Sequence, residues 1–127
     1  MSKRKLFIIE DDPMFAEMLK DFLKSRPMWE VMHFATGEEA IKNAFQDPEV
    51  VIIDYHLDSV NTNGLSGIDT MMQLKKLSPH SRCVFLSGQK SYGVALQTIS
   101  HGADQYIIKD EAAFNEVGRL LDSLPVD

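Results

Sequence analysis

Short apolar runs and longer amphipathic stretches take turns along this chain five times, a rhythm that βαβ units built around a parallel sheet satisfy. The strand candidates are Leu6–Ile9, Glu30–Phe34, Val50–Ile53, Cys83–Leu86 and Gln105–Ile108. Four of them are almost continuously apolar, as strands covered on both faces require, whereas Glu30–Phe34 is mixed and suits a sheet edge. Between them, Phe15, Met18, Leu19, Phe22 and Leu23 fall on one helical stripe that Pro13 can open and Pro27 must follow. Thr36 with Glu39 three residues on reads as a capped helix start, with Ala40, Ile41, Ala44 and Phe45 inward and Asp47-Pro48 as the stop. A third helix is expected over about Gly67 to Leu77, with Ile68, Met71 and Met72 inward, and a fourth over about Ser91 to His101, closed by Gly102. The last starts near Asp110 and carries Phe114, Val117, Leu121 and Leu124 on one face.

Composition removes several alternatives. With 127 residues the chain suits one domain, 1–127, and no output domain is expected after a last helix that reaches Leu124. Apolar residues at 44% and charged residues at 25% match ordinary globular proteins and argue against disorder. No apolar run nears the roughly 20 residues of a membrane span, and Glu10-Asp11-Asp12 cut short the stretch after Lys3-Arg4-Lys5 that could imitate a signal peptide. A cytoplasmic protein is expected. A net charge of −6 opposes sequence-independent binding to nucleic acid. The single cysteine, Cys83, opens a strand run and reads as a small buried hydrophobe. One segment breaks the rhythm: Asp54 to Ser66, rich in Asn, Ser, Asp and Gly, is longer than a usual strand-to-helix connection, and such loops tend to carry function.

In parallel α/β sheets ligands bind beyond the carboxyl ends of the strands. Here those ends are polar: Glu10-Asp11-Asp12, then Asp54, then Ser87, then Lys109. Carboxylates brought to one rim repel, so they need a cation or must protonate. An all-oxygen set with an open side suits Mg²⁺, which retains waters and takes phosphate oxygens. Mg²⁺ and Lys109 would balance the three charges of Glu10, Asp11 and Asp54, leaving a site ready for a phosphoryl group, with Lys109 as point charge and Ser87 as hydroxyl donor. Each end alone would pass for a helix cap or a solvated side chain; four converging in this order would not.

The whole chain resembles the receiver domain of two-component response regulators, through Ile8-Ile9-Glu10-Asp11-Asp12, Val51-Ile52-Ile53-Asp54, Phe85-Leu86-Ser87-Gly88 and Gly102-Ala103-Asp104-Gln105-Tyr106-Ile107-Ile108-Lys109. The resemblance implies a doubly wound, five-stranded parallel sheet of order 2-1-3-4-5, the flavodoxin-like or CheY-like (βα)5 fold. It further implies that Asp54 is the phosphoacceptor, receiving its group from a sensor histidine kinase or a histidine phosphotransfer protein. Asp11 and Asp54 would ligate Mg²⁺ with the backbone carbonyl of His56, and Glu10 would act through a water; Asp12 is an alternative ligand if the register slips by one. Ser87 and Lys109 would bind phosphoryl oxygens, Tyr106 would be the switch aromatic coupled to Ser87, and His56 and Gln89 would tune phosphoryl lifetime. The signal would leave through the surface around the fourth helix and fifth strand, to an output domain or a downstream protein, and a homodimer formed on phosphorylation stays open. Partner choice is placed on the first helix, at Met14 and Phe15.

Departures from the family pattern are the long loop after Asp54, which lacks the usual proline and carries Asp58, Asn61, Asn63, Gly64 and Ser66, and Asp110 where a proline usually follows the lysine. Ser87 replaces the commoner Thr and keeps the hydroxyl. A pseudo-receiver, binding partners without phosphorylation, is the alternative function. A Mg²⁺-dependent aspartyl phosphatase would want an acid where His56 stands, and a flavin binder would want a Ser/Thr/Gly phosphate loop where the acids stand. The domain is expected to be a phosphoacceptor and not a turnover enzyme.

Overall fold

A computed structural model describes residues 3–57 and 64–126. The part of the long loop that includes Asp58, Asn61 and Asn63 lies outside the described residues. Five strands form: β1 (Arg4–Ile9), β2 (Trp29–Phe34), β3 (Val50–Asp54), β4 (Arg82–Ser87) and β5 (Gln105–Ile108). All pair in parallel, in the order β2-β1-β3-β4-β5. The α-helices are α1 (Pro13–Leu23), α2 (Gly37–Lys42), α3 (Gly67–Leu77), α4 (Tyr92–Ser100) and α5 (Ala113–Ser123). This is the expected doubly wound α/β fold, with the mixed strand β2 at one edge.

Alternation within β1, β3 and β4 sends successive side chains to opposite faces, and each face finds its own helices. Leu6, Ile8, Val50, Ile52, Val84 and Leu86 pack with Leu19 and Leu23 of α1 and Val117 and Leu121 of α5. Phe7, Ile9, Val51, Ile53, Cys83 and Phe85 pack with Ala40 of α2 and Met71 and Leu74 of α3. Burial pushes the Cys83 thiol up to about 12, so it is an inert part of that layer, as expected. Strand β5 is the second edge, and only Ile107 in it is fully buried; double coverage holds for β1, β3 and β4.

Four expectations about the helices are corrected. Met18 and Met72 are exposed although they neighbour buried residues, because each helical step of about 100° carries them past the edge of the buried stripe. Ala16 takes the place of Met18 in α1, and Thr70 and Met71 complete the stripe in α3. Phe45 is 82% exposed: after Asn43 the chain tightens into a 3₁₀ turn, Ala44–Gln46, which keeps Ala44 inward and turns Phe45 out. Helix α5 begins at Ala113 and not near Asp110, whose carboxylate instead accepts the Ala112 N–H at 2.9 Å. Gly102, at φ 114°, ends the turn after α4 as expected of a C′ glycine.

Candidate phosphoryl and metal site

The parallel register delivers the ends of β1, β3, β4 and β5 to one rim. Ile9 pairs with Ile53, Asp54 with Leu86, and Ser87 with Ile108, so Asp54 and Ser87 end β3 and β4 beside Glu10 and Lys109, which directly follow β1 and β5. Glu10 is held from both sides by backbone geometry: its N–H donates to Phe34 O at 3.0 Å, and its carbonyl lies 2.7 Å from His33 Nε2. Lys109 is held at its base by its own N–H, which donates to Ser87 O at 2.8 Å.

These anchors bring the expected side chains together. Ligand oxygens of Glu10, Asp11 and Asp54 lie within 4.8 Å of one another. The Lys109 ammonium reaches into the cluster and donates to Glu10 Oε1 at 2.7 Å and Asp54 Oδ1 at 3.4 Å. Asp54 Oδ1 also accepts the His56 N–H at 3.1 Å. The Asp12 carboxylate is not among the clustered oxygens, although its backbone N–H donates to Glu10 Oε2 at 3.2 Å. Its carboxylate caps α1 by accepting the N–H groups of Met14 and Phe15, at 3.0 and 3.3 Å.

One ammonium does not neutralise three carboxylates, and the electrostatics record the deficit. Burial is the largest influence on Glu10 and, with its hydrogen bond to Asp54, pushes the carboxyl up to about 8 in spite of Lys109. Asp11 is raised too, first by burial and then by the charge of Asp54. For Lys109, burial pulls down, but the hydrogen bond to Glu10 and the charge of Asp54 outweigh it and the ammonium is stabilised. Asp11 Oδ2 is buried and, among the described residues, has no hydrogen-bond partner. A buried carboxylate oxygen without a donor is costly, and a hard divalent cation is the group that such an all-oxygen set accepts. The donor set therefore fits Mg²⁺.

The remaining predicted residues form a second constellation beside the first. Ser87 is fully buried, and its Oγ accepts the Gln89 N–H at 3.1 Å. Tyr106 OH donates to the carbonyl of that same Gln89 at 2.8 Å. The Gln89 backbone thus bridges the hydroxyl and the aromatic, while its side chain is exposed. Tyr106→Phe is expected to cost about 1 kcal/mol in urea unfolding and to move the amide resonances of Gly88–Lys90, because it removes a donor from the bridge. His56 is half-buried, its ring edge-on to Tyr55 at 5.0 Å.

Three contributors had no signal in the sequence strong enough to find them. Phe15 lies with its ring 4.4 Å below the Lys109 ammonium, His33 supports the Glu10 carbonyl, and Gly67 packs against the backbone of Asp54. Phe15 had been legible only as part of a helix stripe and as a partner contact; it is half-buried, whereas Met14 is 72% exposed.

Comparison with known proteins agrees with this geometry. The family model for the response regulator receiver domain matches residues 6–118. The chain is 31% identical over 110 residues to a nitrate/nitrite response regulator protein homolog of Haemophilus influenzae, covering 85% of this chain and 50% of that protein. It is 29% identical over 111 residues to the chemotaxis protein CheY of Thermotoga maritima, covering 86% and 87%. A crystal structure of a response regulator protein from Burkholderia pseudomallei, with a phosphorylated aspartic acid, calcium ion and citrate, superposes with a TM-score of 0.75 at 28% identity, over 98% of this chain and 78% of that one. The chain spans about half the length of several curated relatives it matches, among them NarL of Escherichia coli.

Proposed function

We propose that this chain, which belongs to the response regulator receiver domain family of two-component signalling, accepts a phosphoryl group on the carboxylate of Asp54. The observation that carries this reading is the uncompensated acid cluster, above all the partnerless buried oxygen of Asp11 beside Asp54. Asp11 and Asp54, with the His56 carbonyl, are the residues that would hold Mg²⁺, and Glu10 would support it through a water. When bound, Mg²⁺ would neutralise the carboxylates and stabilise charge on the phosphoryl oxygens. The relative from Burkholderia pseudomallei, with its phosphorylated aspartic acid and calcium ion, supports the same assignment.

In the transfer, an Asp54 carboxylate oxygen attacks the phosphorus of a phosphohistidine on a sensor kinase or a phosphotransfer protein. The new O–P bond forms as the N–P bond breaks, and the departing imidazole takes a proton from water. Lys109 is already 3.4 Å from Asp54 and moves from Glu10 to a phosphoryl oxygen. Ser87 turns its hydroxyl from the Gln89 N–H to another, which releases one side of the Gln89 bridge and frees Tyr106 to change rotamer. The changed surface then lies around α4 and β5, where Tyr92, Leu96 and Ile99 are exposed and Thr98 is the one buried residue of α4. A weakly seated helix is a suitable reporter, to an output domain, a downstream protein or a second copy of the chain.

Residues 1–127 act in this reading as one cytoplasmic phosphoacceptor unit that is not a turnover enzyme; among the described residues no helix is long and apolar enough to cross a membrane. Intact mass after acetyl phosphate and Mg²⁺ tests it: wild type gains one phosphoryl group and Asp54→Ala gains none. An unchanged wild-type mass would instead favour the phosphorylation-independent interaction module. His56→Ala and Gln89→Ala, each two residues beyond a site residue, are expected to change phosphoryl lifetime in a decay assay, and identical decay in both would remove their tuning role.

A further inference from the structure

Lys109 meets an aromatic face as well as carboxylates. Its side chain is 22% exposed, and its ammonium donates to Glu10 and Asp54 while lying over the ring of Phe15, 4.4 Å away. Phe15 in turn is fixed. It sits in the first turn of α1, where its N–H is capped by Asp12, and it packs edge-on against Phe114 of α5 at 5.6 Å. Phe114 also meets Phe22 in a tilted contact at 5.5 Å, so three rings from two helices hold one another in place. The ring that faces the ammonium is therefore presented by packing and not by chance rotation.

We propose that Phe15 is a positioning residue for Lys109, its ring acting as the non-acidic wall that keeps the ammonium inside the site while it exchanges Glu10 for a phosphoryl oxygen. The inference rests on the phosphoacceptor reading and adds to it a residue on α1 outside the set that would hold the metal or the phosphoryl group. The physical reason is the ring's negative face. A cation held there keeps an electrostatic partner when it leaves a carboxylate, and a desolvated ammonium gains more from such a face than an exposed one. Leucine would fill the space but offers no such partner, and Lys109, strongly hydrated by nature, would turn to water.

Two variants and two measurements test this. In wild type the ring current of Phe15 shifts the ε-methylene protons of Lys109 upfield by NMR; Phe15→Leu abolishes the shift and Phe15→Tyr keeps it. Affinity for beryllofluoride with Mg²⁺, a stable mimic of the phosphoryl group, is expected to fall roughly three- to thirty-fold in Phe15→Leu and to return in Phe15→Tyr. Rescue by tyrosine separates the ring's face from mere packing, which both variants retain. A Lys109 shift unchanged in Phe15→Leu, or beryllofluoride affinity equal to wild type in that variant, overturns the positioning role alone. Failure of wild type and both variants to bind beryllofluoride overturns the phosphoacceptor reading, and the role with it.

Discussion

Metal-free protein is expected to lose stability as pH rises from about 5 to about 8.5, and Glu10→Gln is expected to remove most of that loss. Glu10 is buried, 2% exposed, and its carboxyl is pushed up to about 8 from an ordinary value of 4.5. Between those values the folded chain retains a proton that the unfolded chain has released, so the unfolded state binds fewer protons and unfolding becomes easier with each step upward. The stabilising proton is fully present below the unfolded value and is lost through the folded one. Asp11, raised in the same direction, adds to the trend. The raised Lys109 acts only at higher pH: its contribution is present below the ordinary lysine value and is lost as pH rises through the folded one. The expected loss is about 3 kcal/mol, since one pKa unit is about 1.4 kcal/mol and neighbouring carboxylates share the cost. In a chain of this size that is roughly 10 °C in Tm. Glutamine imitates the protonated glutamate and can still accept from Lys109, so Glu10→Gln should match wild type near pH 5 and exceed it near pH 8.5. Mg²⁺ should stabilise wild type chiefly at the higher pH, because proton and metal compete for the same oxygens. Thermal unfolding at both pH values, with and without Mg²⁺, decides the matter; parallel pH profiles for wild type and Glu10→Gln would contradict it.

That acid cluster was legible in the sequence because topology does the placing. Once Leu6–Ile9, Val50–Ile53, Cys83–Leu86 and Gln105–Ile108 are read as parallel strands, the residues that follow them must share a rim, whatever their rotamers. Glu10, Asp54, Ser87 and Lys109 needed no more than that. The contacts of Phe15 with Lys109 and of His33 with Glu10 depend on which way a side chain leans across an interface, and periodicity is silent on this. Phe45 failed for a different reason: a helical stripe presumes 3.6 residues per turn, and the chain abandons that pitch after Asn43. Met18 and Met72 failed because a flexible, unbranched side chain at the edge of a stripe can as easily lie outside it. Asp12 was ambiguous between ligand and cap, and α1, with Pro13 in its first turn and two free N–H groups behind it, took the carboxylate as its cap.

Gly67→Ala is expected to slow the uptake of a phosphoryl group from acetyl phosphate by one to two orders of magnitude, an effect placed on the proposed nucleophile, Asp54, through its own backbone. Gly67 opens α3 immediately after the capping Ser66, whose Oγ accepts the Asp69 N–H at 3.1 Å. A methyl group there would stand 2.8 Å from the Asp54 carbonyl oxygen, 3.0 Å from Phe85 Cε1 and 3.2 Å from the Tyr55 carbonyl oxygen. Two of these are backbone atoms and Phe85 is fully buried, so none can withdraw cheaply. Alanine would ordinarily favour a helix over glycine by about 1 kcal/mol, but overpacking costs about 1–3 kcal/mol. Net destabilisation follows only if α3 or the end of β3 is pushed aside. Displacement of β3 moves Asp54 relative to Asp11 and Lys109, and misplacement by about 1 Å can cost about a hundredfold in rate. Gly93→Ala is the stability control: its methyl group would meet only Ser91 Oγ at 3.9 Å, so it should unfold at the same urea concentration as wild type or a higher one. Uptake by Gly67→Ala at the wild-type rate, in a protein shown to be folded, would mean that β3 absorbs the methyl group without moving its nucleophile.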